Sequence, residues 1–159
     1  MMGSGKSSIG KILSKKLNIG FIDIDQKIEE VESLSISDIF KKNGENYFRK
    51  IEEKISLKYL KSENKVISLG GGGFMNSSIR KLCQKTCLSF WLNWKNETII
   101  KRIYKSKKRP MVMNLTKDKI NSLIKERSKF YELSDYKINC DKLDKAQIIN
   151  KILDIYENK

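Results

Sequence analysis

A glycine-rich run, Gly3-Ser4-Gly5-Lys6-Ser7, leads directly into a helical pattern. It matches the second half of GxxxxGK[ST], the loop that turns backbone N–H groups around phosphate oxygens at a helix N-terminus. In that chemistry Lys6 reaches the outer phosphates and the Ser7 hydroxyl ligates Mg²⁺. An ordinary glycine-capped helix start is the plain alternative, and the Lys-Ser pair after the last glycine argues against it. Asp23 and Asp25 follow, expected at the end of a short strand and on one face of it, because strand side chains repeat every two residues. One carboxylate then suits Mg²⁺ and the other a substrate hydroxyl; a helix N-cap plus a surface acid is the alternative. Gly70 to Gly73 follow a second strand and expose backbone N–H groups to a ligand without steric cost, or else form a plain turn.

The rest of the composition limits the chemistry. The 159 residues contain no histidine, which removes His-based triads and His-liganded zinc. Carboxylates, lysines, arginines or a metal must do the work. Three cysteines, Cys83, Cys87 and Cys140, form no CxxC pair and read as reduced, mostly buried thiols. The net charge is +14, from 28 lysines and only five arginines against 19 acids. Lysines scattered over helical stretches read as a solvated surface. Arginine in a lysine-rich chain marks a place where a planar, bidentate donor is wanted.

The elements that must position these groups alternate. Helices are expected over 7–17, 25–31, 35–42, 45–61, 77–84, 97–104, 117–133 and 145–156, with strands at GFIDID, KVISL, TCLSFWL and YKIN. Such alternation predicts an α/β fold, a three-layer sandwich with a central parallel sheet between helices, in one domain over 1–159. No run is long and apolar enough for a membrane span and the N-terminus does not read as a signal peptide. A cytoplasmic protein is expected, with no membrane partner.

FIDIDQKIEE, SISDIFKKNGENYFRKIE, VISLGGGG, a basic segment with Arg-Pro and ERSKFYELSD together resemble shikimate kinase over essentially the whole chain. The combination of DxD, FRxxE and GGG separates it from gluconate kinases and nucleoside monophosphate kinases. The resemblance implies a P-loop NTPase fold of the nucleoside monophosphate kinase type, with a mobile lid at about 105–117 and a shikimate-binding helical region at about 25–61. It implies transfer of the γ-phosphoryl of ATP to the 3-hydroxyl of shikimate, with Mg²⁺, in a monomer. Gly3, Ser4, Gly5, Lys6, Ser7, Ser8, Arg102 and Arg109 would then bind ATP, Arg102 lining the adenine. Ser7 and Asp23 would serve the metal, with Ser68 approaching it. Asp25, Arg49, Gly71, Gly72 and Arg127 would bind shikimate, the two arginines clamping its carboxylate and the glycines offering backbone donors. Asp25, Lys6 and Arg109 would be catalytic, Asp25 accepting the proton and Arg109 reaching over from the lid. Arg80 has no such position and reads as a surface residue.

Three other readings stay open. Another small-molecule kinase would take gluconate or a nucleoside monophosphate. A basic nucleic-acid-binding protein would use the +14 surface, but no interleaved aromatic motif is visible and Trp91 and Trp94 read as core; no nucleic-acid partner is expected. A nucleotide-binding chain without catalysis is the third. Counting back from Gly5, the first glycine of the phosphate loop falls immediately before Met1, and a P-loop joins a buried strand to its helix. The expectation is that Met1 and Met2 are internal to a longer protein, and that without that strand two neighbours in the sheet lack ladder partners.

Overall fold

The computed structural model describes residues 1–105 and 115–159. Arg109 and most of the expected lid lie outside the described residues. The order is α1 (Lys6–Lys16), β1 (Gly20–Asp23), α2 (Ile24–Glu32), α3 (Ile36–Tyr59), β2 (Lys65–Ser68), a 3₁₀ turn (Gly73–Met75), α4 (Ser77–Thr86), β3 (Phe90–Asn93), α5 (Asn96–Lys105), α6 (Lys117–Tyr131), β4 (Tyr136–Asn139) and α7 (Lys145–Glu157). No helix among the described residues is long and apolar enough to cross a membrane.

Local sequence sets the boundaries. Ser35, Asn76 and Thr116 cap α3, α4 and α6 by accepting the N–H of the third helical residue, and Asp144 with Gln147 forms a reciprocal capping box on α7. The two helices expected over 35–42 and 45–61 run on as α3, kinked at Gly44, whose φ of 81° and ψ of 172° are non-helical. The strand expected from Thr86 begins only at Phe90, because α4 continues to Thr86. Gly10 lets α1 lie flat on β1: a Cβ there would stand 2.6 Å from the Phe21 ring.

The expected parallel sheet is present as two parallel pairs, and β2 and β3 do not pair with each other. β1 pairs with β2, placing Asp23 opposite Ser68, and β3 pairs with β4, placing Phe90 opposite Tyr136. Both pairs belong to one layer, because their side chains share the same two faces. Val66 and Leu92 pack with Ile9, Leu13 and Ile148 of α1 and α7, while Ile67 and Trp91 pack on the opposite side, with Phe74 and Ile79. Met1 and Met2 are buried in that second cluster. A third cluster, around Ile24, Ile28, Ile39 and Phe48, fixes α2 and α3 beside β1.

Candidate functional site

Ligands of open parallel sheets bind beyond the carboxyl ends of the strands, and here the ends of β2 and β3 converge on the Met1–Ser4 segment. Beyond β2, a Cβ on Gly71 would lie 3.4 Å from that of Met2. Beyond β3, Trp94 Nε1 donates to the Ser4 carbonyl at 3.0 Å. The loop holds itself: the buried Ser4 hydroxyl and Lys6 Nζ each donate to the Met1 carbonyl at 2.8 Å. Gly3 and Gly5 take left-handed φ values of 70° and 87°, conformations that strain any side chain with a Cβ. Gly5 caps α1 without a side-chain acceptor and no acid occupies the first turn. The helix therefore presents its first N–H groups and partial positive charge beside Lys6 and the exposed Ser7 and Ser8. Arg102 flanks the loop, its guanidinium 3.7 Å from the centre of the Trp94 indole and 3.5 Å from the Gly3 carbonyl.

Asp23 ends β1 and is buried, but Asp25 stands in the first turn of α2 and is exposed. The expected shared strand face for the two is thus corrected. Asp23 caps α2, its Oδ1 accepting the N–H groups of Asp25 and Gln26 at 3.1 and 3.4 Å. That cap turns the chain out of the strand. Both N–H bonds fall on Oδ1, which leaves Oδ2 for a cation. No group of three metal-binding side chains occurs among the described residues. Mg²⁺ needs none, because it is commonly held by one or two protein oxygens with waters and phosphates. Ser7 and Asp23 fit that donor set.

A second cluster surrounds the glycine turn. A Cβ on Gly70 would come within 2.7 Å of Asp25 Oδ1 and clash with Glu52 Oε1, and one on Gly72 would stand 2.6 Å from Arg49 Nη1. Only glycine lets these side chains come so close. Arg49 donates to Glu52 at 2.7 Å and to Glu45 at 3.0 Å. Arg127 Nη1 and the Tyr131 hydroxyl both donate to the Gly71 carbonyl at 2.9 Å. Arg127 Nε is buried with no hydrogen-bond partner, as is Glu52 Oε1.

Burial sets the electrostatics. It pushes Glu52 above the usual carboxylate range, against the opposing pull of Arg49. It also lowers Arg127, with Arg49 adding repulsion, and drives Tyr131 up to about 12, so its hydroxyl stays a donor. Arg49 is pulled down by burial yet ends above its ordinary value, because Glu52 and Glu45 hold its charge.

The structure therefore brings Asp25, Arg49, Arg127, Gly71 and Gly72 together at one end of β2, and Gly3 to Ser8 with Arg102 at the head of α1. Glu52, Tyr131 and Trp94 join them without having been singled out for the site. The Phe-Arg-x-x-Glu spacing carried the signal for Glu52, which lies one helical turn from Arg49. Trp94, expected in the core, packs half-buried against it and also braces the loop. Arg80 is not a plain surface residue: Nη1 donates to the carbonyls of Phe74 and Met75 at 3.0 Å each, pinning the 3₁₀ turn.

Comparison with known proteins gives a consistent result. The family profile described as shikimate kinase matches residues 2–157. The chain is 41% identical over 152 residues to the shikimate kinase of Sulfurihydrogenibium sp. (strain YO3AOP1), covering 96% of this chain and 91% of that protein. Among solved structures, shikimate kinase from Acinetobacter baumannii in complex with shikimate is similar with a TM-score of 0.92 at 29% identity, over 99% of this chain and 90% of that one. Shikimate kinase from Aquifex aeolicus is similar with a TM-score of 0.88 at 35% identity, over 99% and 93%.

Proposed function

Because this chain belongs to the shikimate kinase family, we propose that it transfers the γ-phosphoryl group of ATP to the 3-hydroxyl of shikimate. The products are shikimate 3-phosphate and ADP, on the route to chorismate and the aromatic amino acids. A bond forms between the substrate O3 and the γ-phosphorus, and the bond from that phosphorus to the oxygen bridging it to the β-phosphorus breaks.

The observation that carries the reading is the unfilled donor beside the glycine turn. Arg127 Nε is buried without a hydrogen-bond partner, and the Arg49 guanidinium lies against Gly72. Two arginines in a half-buried cleft suit a planar carboxylate, which accepts paired N–H donors. Arg49 and Arg127 hold the shikimate carboxylate, with Gly71 and Gly72 giving backbone donors to the bound ring. Glu52 keeps Arg49 in place.

Asp25, beside Gly70 and exposed toward the cleft, orients the attacking hydroxyl and accepts its proton. A strong base is not essential, because the loose transition state of phosphoryl transfer depends on position and charge neutralisation. Lys6 and the N–H groups from Gly3 to Ser8 bind the phosphates, while Arg102 on Trp94 offers a flat surface for adenine. Ser7 and Asp23 would hold Mg²⁺, which when bound neutralises phosphate charge. Arg109 lies outside the described residues, and its role at the transferring phosphate rests on the Arg-Pro segment of the sequence. The lid at about 105–117, a monomeric state and a cytoplasmic location complete the proposal.

Phosphorus NMR of the product tests the assignment of the acceptor. Coupling of the phosphate to the proton on carbon 3 is expected, and phosphate on another ring position would refute it.

A further inference from the structure

Arg80 stands on α4, outside the residues assigned to substrate, yet its guanidinium is tied to both elements that build the carboxylate clamp. Nη1 donates to the Phe74 and Met75 carbonyls at 3.0 Å each, at the end of the 3₁₀ turn. The same guanidinium lies 5.3 Å from the centre of the Phe130 ring on α6. We propose that Arg80 is a positioning residue for the substrate carboxylate: by joining the 3₁₀ turn to α6, it fixes the Gly71 carbonyl relative to Arg127. This inference rests on the reading of the site as a shikimate kinase and deepens it.

The clamp depends on where the glycine turn sits, because Arg127 Nη1 and the Tyr131 hydroxyl both donate to the Gly71 carbonyl. Four consecutive glycines, Gly70 to Gly73, restrict the backbone least of any sequence. The turn's own bonds are short-range: the N–H groups of Gly73, Met75 and Asn76 donate to the carbonyls of Gly70, Gly72 and Gly73 at 3.0 to 3.1 Å. Its place in the molecule is therefore set by what holds it from outside. Arg80 does so through the next two carbonyls in the chain, those of Phe74 and Met75.

The turn and α6 meet again beside this bond. Phe74 stacks on Tyr131, with ring centroids 6.0 Å apart and planes 10° from parallel. Phe130, which seats the Arg80 guanidinium, is the residue before Tyr131 and three after Arg127. Arg80 thus touches α6 within one turn of the arginine it is inferred to place. Among the described residues it forms no ion pair, so its donors serve the backbone and not a surface acid. A planar guanidinium can bridge two carbonyls and lie over a ring at once, whereas an ammonium lacks the flat face.

Steady-state kinetics tests this, with shikimate and ATP each varied while the other is saturating. Arg80→Ala is expected to raise the shikimate KM about tenfold and to leave kcat and the ATP KM within about twofold, because a clamp that grips substrate and transition state alike sets KM. Arg80→Lys, which keeps the charge and can still reach both carbonyls, should recover to within about threefold of the parent. In an Arg127→Ala background, adding Arg80→Ala should cost less than about twofold, since its effect passes through Arg127. An unchanged shikimate KM in Arg80→Ala overturns the inference. An undiminished loss in the Arg127→Ala background also overturns it, as does a fall in kcat with a rise in both KM values, which marks a general loosening of the fold. A loss that disappears in about 1 M salt would show remote charge attraction and overturn it too. Arg80→Gln, neutral and of similar reach, repeats the test if the alanine variant does not fold. A parent chain that turns over no shikimate fails the functional reading itself, whereas an active parent with an unchanged KM in Arg80→Ala fails this inference alone.

Discussion

Arg127 Nη1 lies 2.9 Å from the Gly71 carbonyl, fastening α6 to the glycine turn after β2. Tyr131, one helical turn further along α6, donates to the same oxygen at 2.9 Å. The bond fixes the guanidinium while leaving its Nε buried and unpartnered. A group held by one hydrogen bond and short of another is preorganised for an anion, because little reorganisation is needed when the ligand arrives.

Arg127→Ala and Arg49→Ala are therefore expected to weaken shikimate binding by about 2 kcal/mol or more each, roughly 30-fold in KM, with smaller losses in kcat. Steady-state kinetics with shikimate varied at saturating ATP checks this. An ordinary shikimate KM in both variants would remove the clamp. Urea unfolding of the same variants separates a binding defect from a folding one.

Glu52 predicts a pH dependence of stability. Burial raises its folded value above that of the unfolded chain, so the fold favours the protonated acid. Its favourable contribution is fully present below the unfolded pKa of about 4.5 and is lost as pH rises through the raised folded value. Glu52→Gln stays neutral throughout. The melting temperature of Glu52→Gln minus that of the parent should accordingly increase from pH 4 to pH 8. A difference that shrinks over this range would show that ionised Glu52, paired with Arg49, stabilises the fold.

Arg109→Ala is expected to lower kcat by about 10² or more while leaving shikimate KM within a few-fold, because charge stabilisation of a transferring phosphoryl group is made chiefly in the transition state. Single-turnover kinetics reads this directly. Unchanged turnover would take Arg109 out of the catalytic set.

What the sequence revealed depended on how local each cause is. The phosphate loop is legible because its conformation and its chemistry both reside in five consecutive residues, with glycines where φ is positive. The clamp arginines stood out against a lysine background. Asp25 was placed on a strand because period-two alternation continues through Phe-Ile-Asp-Ile-Asp, but capping by Asp23 ends the strand two residues earlier. Glu52 shows no sign of burial in sequence, where an acid on an amphipathic helix reads as surface; the packing of α3 against the glycine turn encloses it. Trp94 acts through a carbonyl of a distant segment, that of Ser4, which no single-segment pattern encodes, while Arg80 turns back onto the carbonyls of the 3₁₀ turn just before its own helix.

The most direct test of the account is acceptor choice. ADP release by the chain with Mg²⁺ and ATP should be measured in parallel with shikimate, gluconate and a panel of nucleoside monophosphates. The account predicts ADP release that depends on shikimate and stays at the acceptor-free background with the others. Preferential turnover of gluconate or of a nucleoside monophosphate would contradict it.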